Sequence, residues 1–151
     1  MKLATALSER AELQRKLSEL GARLNNNAKV QDGEAPAEDP QELLSELDGA
    51  LTRLEELMAR INLTNSSTRS AEGATITELL AKRDCLKQRV QLMRSFLDRA
   101  SSKVDRYSKT EIRILSAVDV PALQKQVDDV SKALRETDEK LQELNWTTEL
   151  L

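Results

Sequence analysis

The stretch LATALSERAELQRKLSELGARLNNN, from Leu3 to Asn27, decides the fold class. Its residues Leu3, Ala6, Arg10, Leu13, Leu17, Leu20, Leu24 and Asn27 recur at alternating three- and four-residue steps. That spacing places them on one stripe of an α-helix and on opposite faces of a strand. The same rhythm returns three times: through Leu44, Leu47, Leu51, Leu54, Met58 and Ile61; through Ile76, Leu79, Arg83, Leu86, Val90, Met93, Leu97, Ala100 and Val104; and through Val120, Leu123, Val127, Val130, Leu134, Thr137, Leu141 and Leu144. The spacing predicts an all-α fold, an antiparallel bundle of four long helices over about 2–27, 40–64, 76–104 and 120–145, forming one domain over 1–151. The four segments share a period, and beyond the heptad nothing is seen to recur.

The boundaries carry chemical punctuation. Asn25-Asn26-Asn27 suits a helix end, since Asn tolerates the left-handed cap conformation. Asp39-Pro40-Gln41-Glu42 and Thr75-Ile76-Thr77-Glu78 read as capping boxes opening the second and third helices. Between the third and fourth helices, Ile112, Ile114 and Val118 alternate and are β-branched, which predicts a short extended or β-like excursion over about 109–118. Ala28-Lys29-Val30-Gln31 is its candidate strand partner.

Composition excludes much chemistry. The 151 residues are 32% charged, 39% hydrophobic and only 2% aromatic, with four Gly, three Pro, one Cys and no His. Few aromatics and turn residues argue against a β-sandwich or barrel. Without imidazole and with Cys85 alone, a zinc site of N and S ligands has no donors, so no metal and no cofactor is expected. Di-iron bundles use Glu-x-x-His pairs that are missing here. Glu55-Glu56 and Asp128-Asp129 are adjacent, about 100° apart on a helix, so neither is a catalytic dyad. Cys85 has no imidazole partner to activate it, and the chain leans away from enzymatic function.

A lone cysteine, no signal-like apolar run and no apolar stretch of 18 residues point to a cytoplasmic protein with no membrane partner. Charge is unevenly placed on a net −3. Residues 31–58 hold nine acids and one base, whereas 82–113 hold ten bases and four acids. The basic stretch lacks interleaved aromatics for base stacking, so nucleic acid is not the expected partner.

Polar residues at stripe positions are the candidate site. Arg10 and Arg83 each fall seven residues after the first apolar position of their helix, and Thr137 and Asn62 are expected at the same level. Guanidinium forks there suit a small anion; a register-fixing ion pair with Glu9, Glu12, Asp138 or Glu139 is the competing reading. Tyr107, Ile112, Ile114 and Trp146 are the interface candidates, because aromatic and exposed apolar groups in a chain this poor in them suit anchors of a tail or a neighbouring subunit. Narrow stripes and such anchors favour a homo-oligomer, a dimer or higher.

Several strings resemble the septicolysin-like family of small bacterial helical proteins: Asn27-Ala28-Lys29-Val30-Gln31, Glu38-Asp39-Pro40, Ile61-Asn62-Leu63-Thr64-Asn65, Arg106-Tyr107-Ser108-Lys109-Thr110-Glu111-Ile112, Leu123-Gln124-Lys125-Gln126-Val127-Asp128-Asp129, and the ending Leu144-Asn145-Trp146-Thr147-Thr148-Glu149-Leu150. The resemblance spans nearly the whole chain and implies a helical fold, with no catalytic residue to carry over. The family name implies a membrane-active, haemolysin-like protein, whereas the stripes lack the cationic face and aromatic anchors of an interfacial helix. The expected function is therefore a non-catalytic structural or protein-interaction module that self-associates. The alternatives are an anion-binding protein or enzyme using Arg10 and Arg83, and the membrane-active reading.

Overall fold

Apolar residues at helical spacing, on a background of Ala, Leu, Glu, Lys and Arg, give helices wherever punctuation allows. The computed structural model describes residues 1–102 and 114–151. It is all-α: α1 spans Leu3–Asn26, α2 Pro40–Ser67, α3 Ile76–Ser101 and α4 Val120–Thr147. At the start of α2, Asp39 accepts a hydrogen bond from Gln41 N–H at 2.8 Å, with Pro40 at the first helical position. Asp119 does the same for α4, accepting from Ala122 N–H at 3.1 Å. The end of α2 runs three residues past the expected 64. The Ser66 and Ser67 hydroxyls close that turn by donating to the Leu63 carbonyl at 2.9 and 2.7 Å. Helix α3 ends at Ser101, where the apolar rhythm had suggested 104; 103–113 lie outside the described residues.

The chain divides into two compact units, residues 1–75 with 144–151, and residues 76–143. In the first, α1 and α2 pair antiparallel: Glu9 meets Arg53, Lys16 meets Glu46 and Arg23 meets Glu38, in opposite order along the two helices. Its core joins Leu3, Ala6 and Leu20 of α1 to Leu43, Ala50, Leu57 and Ile61 of α2. Asn27 bridges the hairpin end, donating to the Arg23 carbonyl at 2.9 Å and accepting from Glu38 N–H at 3.0 Å.

The α2 stripe differs from the sequence reading by one residue. Leu43, Ala50 and Leu57 are buried, while Leu44, Leu51 and Met58 are exposed. Both rows satisfy the helical period, because the apolar face of α2 spans roughly 43, 47, 50, 54 and 57 together with 44, 51 and 58. Such a face is wider than one partner helix covers, and α1 takes the Leu43 side.

In the second unit, α3 and α4 also run antiparallel. Leu97, Leu123 and Val127 form a core cluster, with Met93, Ala100, Val118 and Val120 packed against it. Arg94 donates to the Ser131 hydroxyl at 3.3 Å, and Arg83 Nε lies 4.0 Å from Asp138.

Contrary to the sequence reading, the two hairpins repeat. Helices α2 and α4 are both 28 residues long and both begin one residue after a capping aspartate. Shifting by 80 residues superposes Asp39 on Asp119, Leu43 on Leu123, Leu54 on Leu134, Asn65 on Asn145 and Thr68 on Thr148. Shifting α1 by 73 places Leu3 on Ile76, Arg10 on Arg83, Leu13 on Leu86 and Leu24 on Leu97. The ends match too. Arg69 and Thr75 form an antiparallel bridge after α2, and Glu149 and Lys2 form its counterpart after α4. Ser70 N–H donates to the Ala74 carbonyl as Leu150 N–H donates to the Met1 carbonyl, each at 2.8 Å. Gly73, at φ +90°, turns the first of these connections. Heptad patterning hides the relation because apolar residues exchange freely at stripe positions while surface residues drift.

Those two bridges are the β-structure among the described residues. Ala28–Gln31 and Ile114–Val118, expected as an extended pair, form no strand; both are irregular, and the rest of that expected excursion, 109–113, lies outside the described residues.

Candidate functional site

Arg10 stands on the inward side of α1 and is half-buried. Its Nε is fully enclosed and has no hydrogen-bond partner among the described residues. A guanidinium N–H without an acceptor is costly unless something completes it. The nearest acid in sequence, Glu9, is committed elsewhere: Arg53 grips it with Nε at 2.7 Å and Nη2 at 3.1 Å. Arg83, the counterpart of Arg10, is differently placed. Its Nε and Nη2 donate to Asp84 at 3.0 and 2.8 Å, and Asp138 lies 4.0 Å away. One of the expected acid partners, Asp138, therefore faces it.

Thr137 is buried, and its hydroxyl donates to the Ala133 carbonyl one turn earlier at 2.8 Å, which leaves it no free proton for a ligand. Asn62 lies on the exposed side of α2. Arg10 and Asn62 belong to the first unit, Arg83 and Thr137 to the second. Of the interface candidates, Trp146 and Ile114 are 66% and 63% exposed; Tyr107 and Ile112 lie outside the described residues. The tail is held by its backbone and by Glu149 rather than by the Trp146 ring. Leu151 N–H donates to Thr64 Oγ1 at 3.0 Å, Arg60 Nε donates to the Leu151 carbonyl at 2.6 Å, and Glu149 bridges Lys2 and the Met1 amine at 2.7 and 3.1 Å.

The ion pairs along α1 and α2 form two networks that heptad spacing does not reveal. Arg53 links Glu9 to Glu56, Arg60 continues from Glu56, and Arg23 reaches both Glu38 and Glu46. Arg53 holds the Glu9 and Glu56 carboxyls below the usual carboxylate range. Arg23 does the same for Glu38, and Lys16 for Glu46. The acidic excess of 31–58 was the available signal, since a helix that acidic needs basic partners opposite it.

Two open grooves accompany this surface. One, about 450 Å³, is bordered by Glu12, Leu13, Lys16, Glu19 and Glu46; the other, about 330 Å³, lies between α3 and α4 along Val90, Arg94, Ser131 and Leu134. Each mixes both charge signs. No cluster of three or more Cys, Asp or Glu groups able to hold a metal occurs among the described residues. No helix among them is long and apolar enough to cross a membrane. What remains conspicuous is apolar. Leu44, Leu51 and Met58 on α2, and Leu92 and Phe96 on α3, stand exposed at intervals that align along each helix.

A family model described as a family of unknown function (DUF6847) matches residues 10–150. The crystal structure of a functionally unknown conserved protein from Corynebacterium diphtheriae is 43% identical, covers 100% of this chain and 99% of its own, and superposes with a TM-score of 0.90. No curated protein matches the chain.

Proposed function

The chain belongs to DUF6847, a family of unknown function, and from that premise we propose that it is a non-catalytic, cytosolic protein-interaction module that associates with copies of itself. The observation that carries this reading is the contrast between its polar and apolar surface. Along the α1–α2 seam charged side chains pair with one another, whereas large aliphatic and aromatic groups stand exposed in rows on α2 and α3. Ordered rows of such groups mark contact surfaces. The single Cys85, exposed and unpaired, fits a reducing compartment. Light-scattering mass tests the reading. The expected result is a multiple of 16.9 kDa, and a single 16.9 kDa species across micromolar concentrations refutes it.

A second reading, an anion site, is favoured by Arg10 Nε, enclosed without an acceptor. An oxyanion lodged at that nitrogen completes the missing bond. Calorimetric titration with inorganic phosphate or a short dicarboxylate tests it; binding lost in Arg10→Met supports the site, and no heat at millimolar anion removes it. The membrane-active reading that accompanies the septicolysin-like resemblance has a simple test. Release of dye from anionic vesicles at micromolar protein supports it, and intact vesicles end it.

A further inference from the structure

The exposed residues of α2 and α3 form two matched stripes. On α2, Leu44, Asp48, Leu51, Glu55 and Met58 are spaced four, three, four and three residues apart, so they share one face about 100° around from the Leu43–Ala50–Leu57 row. On α3, Cys85, Arg89, Leu92, Phe96 and Arg99 have the same spacing, about 120° from the Leu79–Val90–Leu97 row. All ten residues are exposed. The first stripe alternates aliphatic and acidic groups. The second places arginines on either side of Leu92, 71% exposed, and Phe96.

The internal repeat marks both stripes as places where the two hairpins differ. The counterparts of Leu51 and Met58 in α4 are Ser131 and Asp138, and these face α3 through Arg94 and Arg83. The counterpart of Phe96 in α1 is Arg23, which faces α2 through Glu38 and Glu46. Both positions therefore meet a neighbouring helix in the other hairpin. The residues that reach a neighbouring helix are polar, Ser131, Asp138 and Arg23, and their counterparts Leu51, Met58 and Phe96 are apolar, although Asp138 and Arg23 are about as open to solvent as Met58. Packing within the chain leaves Leu51, Met58, Leu92 and Phe96 open to solvent.

We propose that the α2 stripe of one copy docks on the α3 stripe of a second copy. The self-association put forward above is assumed, and charge selects this pairing. Opposing two α2 stripes sets Asp48 and Glu55 against their own kind, and opposing two α3 stripes does the same for Arg89 and Arg99; only α2 against α3 sets acid on base around Leu51 and Leu92. The apolar pair supplies the desolvated centre and the ions its rim, which fixes register rather than adding much affinity. If both stripes of a copy engage one neighbour, the result is a closed twofold dimer; if they engage two, it is a ring or filament.

The test uses the full chain. Sedimentation and light scattering give mass and dissociation constant for the wild type, Leu51→Glu, Asp48→Lys/Glu55→Lys, Arg89→Glu/Arg99→Glu, and the chain carrying both charge reversals. Circular dichroism checks that each keeps its helices, which exposed substitutions should. The expected result is an oligomer that weakens at least tenfold in Leu51→Glu and in either charge reversal, and recovers when both reversals are combined. An oligomer unaffected by all of these overturns the assignment of the surface and leaves self-association standing. Weakening without recovery in the combined variant overturns the α2-on-α3 pairing. A wild type that stays at 16.9 kDa overturns both this proposal and the reading beneath it.

Discussion

Truncating Leu57 and its neighbour Met58 to Ala, one at a time, tests the packing of α2 directly. Leu57 has no exposed surface, whereas Met58 retains 44% exposure. Leu57→Ala removes three buried carbons, about 2.4 kcal/mol of transfer free energy at ~0.8 kcal/mol per methylene. An incompletely collapsed cavity between α1 and α2 adds to that, giving about 3–4 kcal/mol, inside the range of about 2–5 for buried Leu→Ala. Met58 removes a side chain already half in water and leaves no closed void, while Ala is the better helix former, so Met58→Ala costs less than about 1 kcal/mol. In a chain of this size 1 kcal/mol moves Tm by roughly 2–4 °C. The first variant then melts on the order of 10 °C low and the second within about 4 °C of wild type. The assay is helix melting by circular dichroism at a concentration where every variant runs at 16.9 kDa, so that association does not contribute. A loss in Met58→Ala equal to or larger than that in Leu57→Ala refutes the assignment, because it places the Leu44–Leu51–Met58 row in the core.

Asp39→Ala and Asp119→Ala should each cost about 1 kcal/mol, the usual worth of an N-cap, and by similar amounts if the two hairpins are true repeats; urea titration of both decides it. Arg10→Met should preserve or raise Tm in the absence of anion, since it removes an enclosed Nε–H with no acceptor, and a drop of several degrees in a melting curve would show a partner at that nitrogen. Glu9, Glu38, Glu46, Glu56 and Glu149 all have folded-state pKa values below the ordinary 4.5. Their contribution is therefore complete above about pH 4.5 and is lost as pH falls through the lowered values. Tm measured from pH 7 to pH 3 should fall on the acid side and the fall should shrink in Glu9→Gln; a flat profile contradicts these ion pairs.

Most of the helical frame was legible because period and punctuation are local. Asp39-Pro40 at the start of α2 and the buried Leu3, Ala6 and Leu20 follow from spacing and capping chemistry alone. The α2 register did not, because Leu43, Leu44, Leu47, Ala50, Leu51, Leu54, Leu57 and Met58 offer two valid stripes, and only the position of α1 chooses between them. Asp119-Val120-Pro121 carried the same start signal as Asp39-Pro40-Gln41, and comparing the two reveals the repeat. Of the candidate polar residues, Arg83 and Asp138 follow from shared level in an antiparallel pair. The closed hydroxyl of Thr137 and the orphaned Nε of Arg10 depend on side-chain geometry that spacing does not encode.

The clasp between Lys2 and Glu149 bears on the order in which the molecule forms. Helices α1 and α2 are consecutive in the chain and can meet early, since closing the loop between sequence neighbours loses less chain entropy than closing one across the whole molecule. Yet Leu3 N–H finds its acceptor on Thr148, and the Thr64 hydroxyl accepts from Leu151 N–H. A ribosome emits residues 148–151 long after residue 75, so the first hairpin waits with that edge unsatisfied while the entire second hairpin is made. Because these contacts join the earlier hairpin to residues made much later, changes at Thr148 and Leu150 should speed unfolding more than they slow refolding.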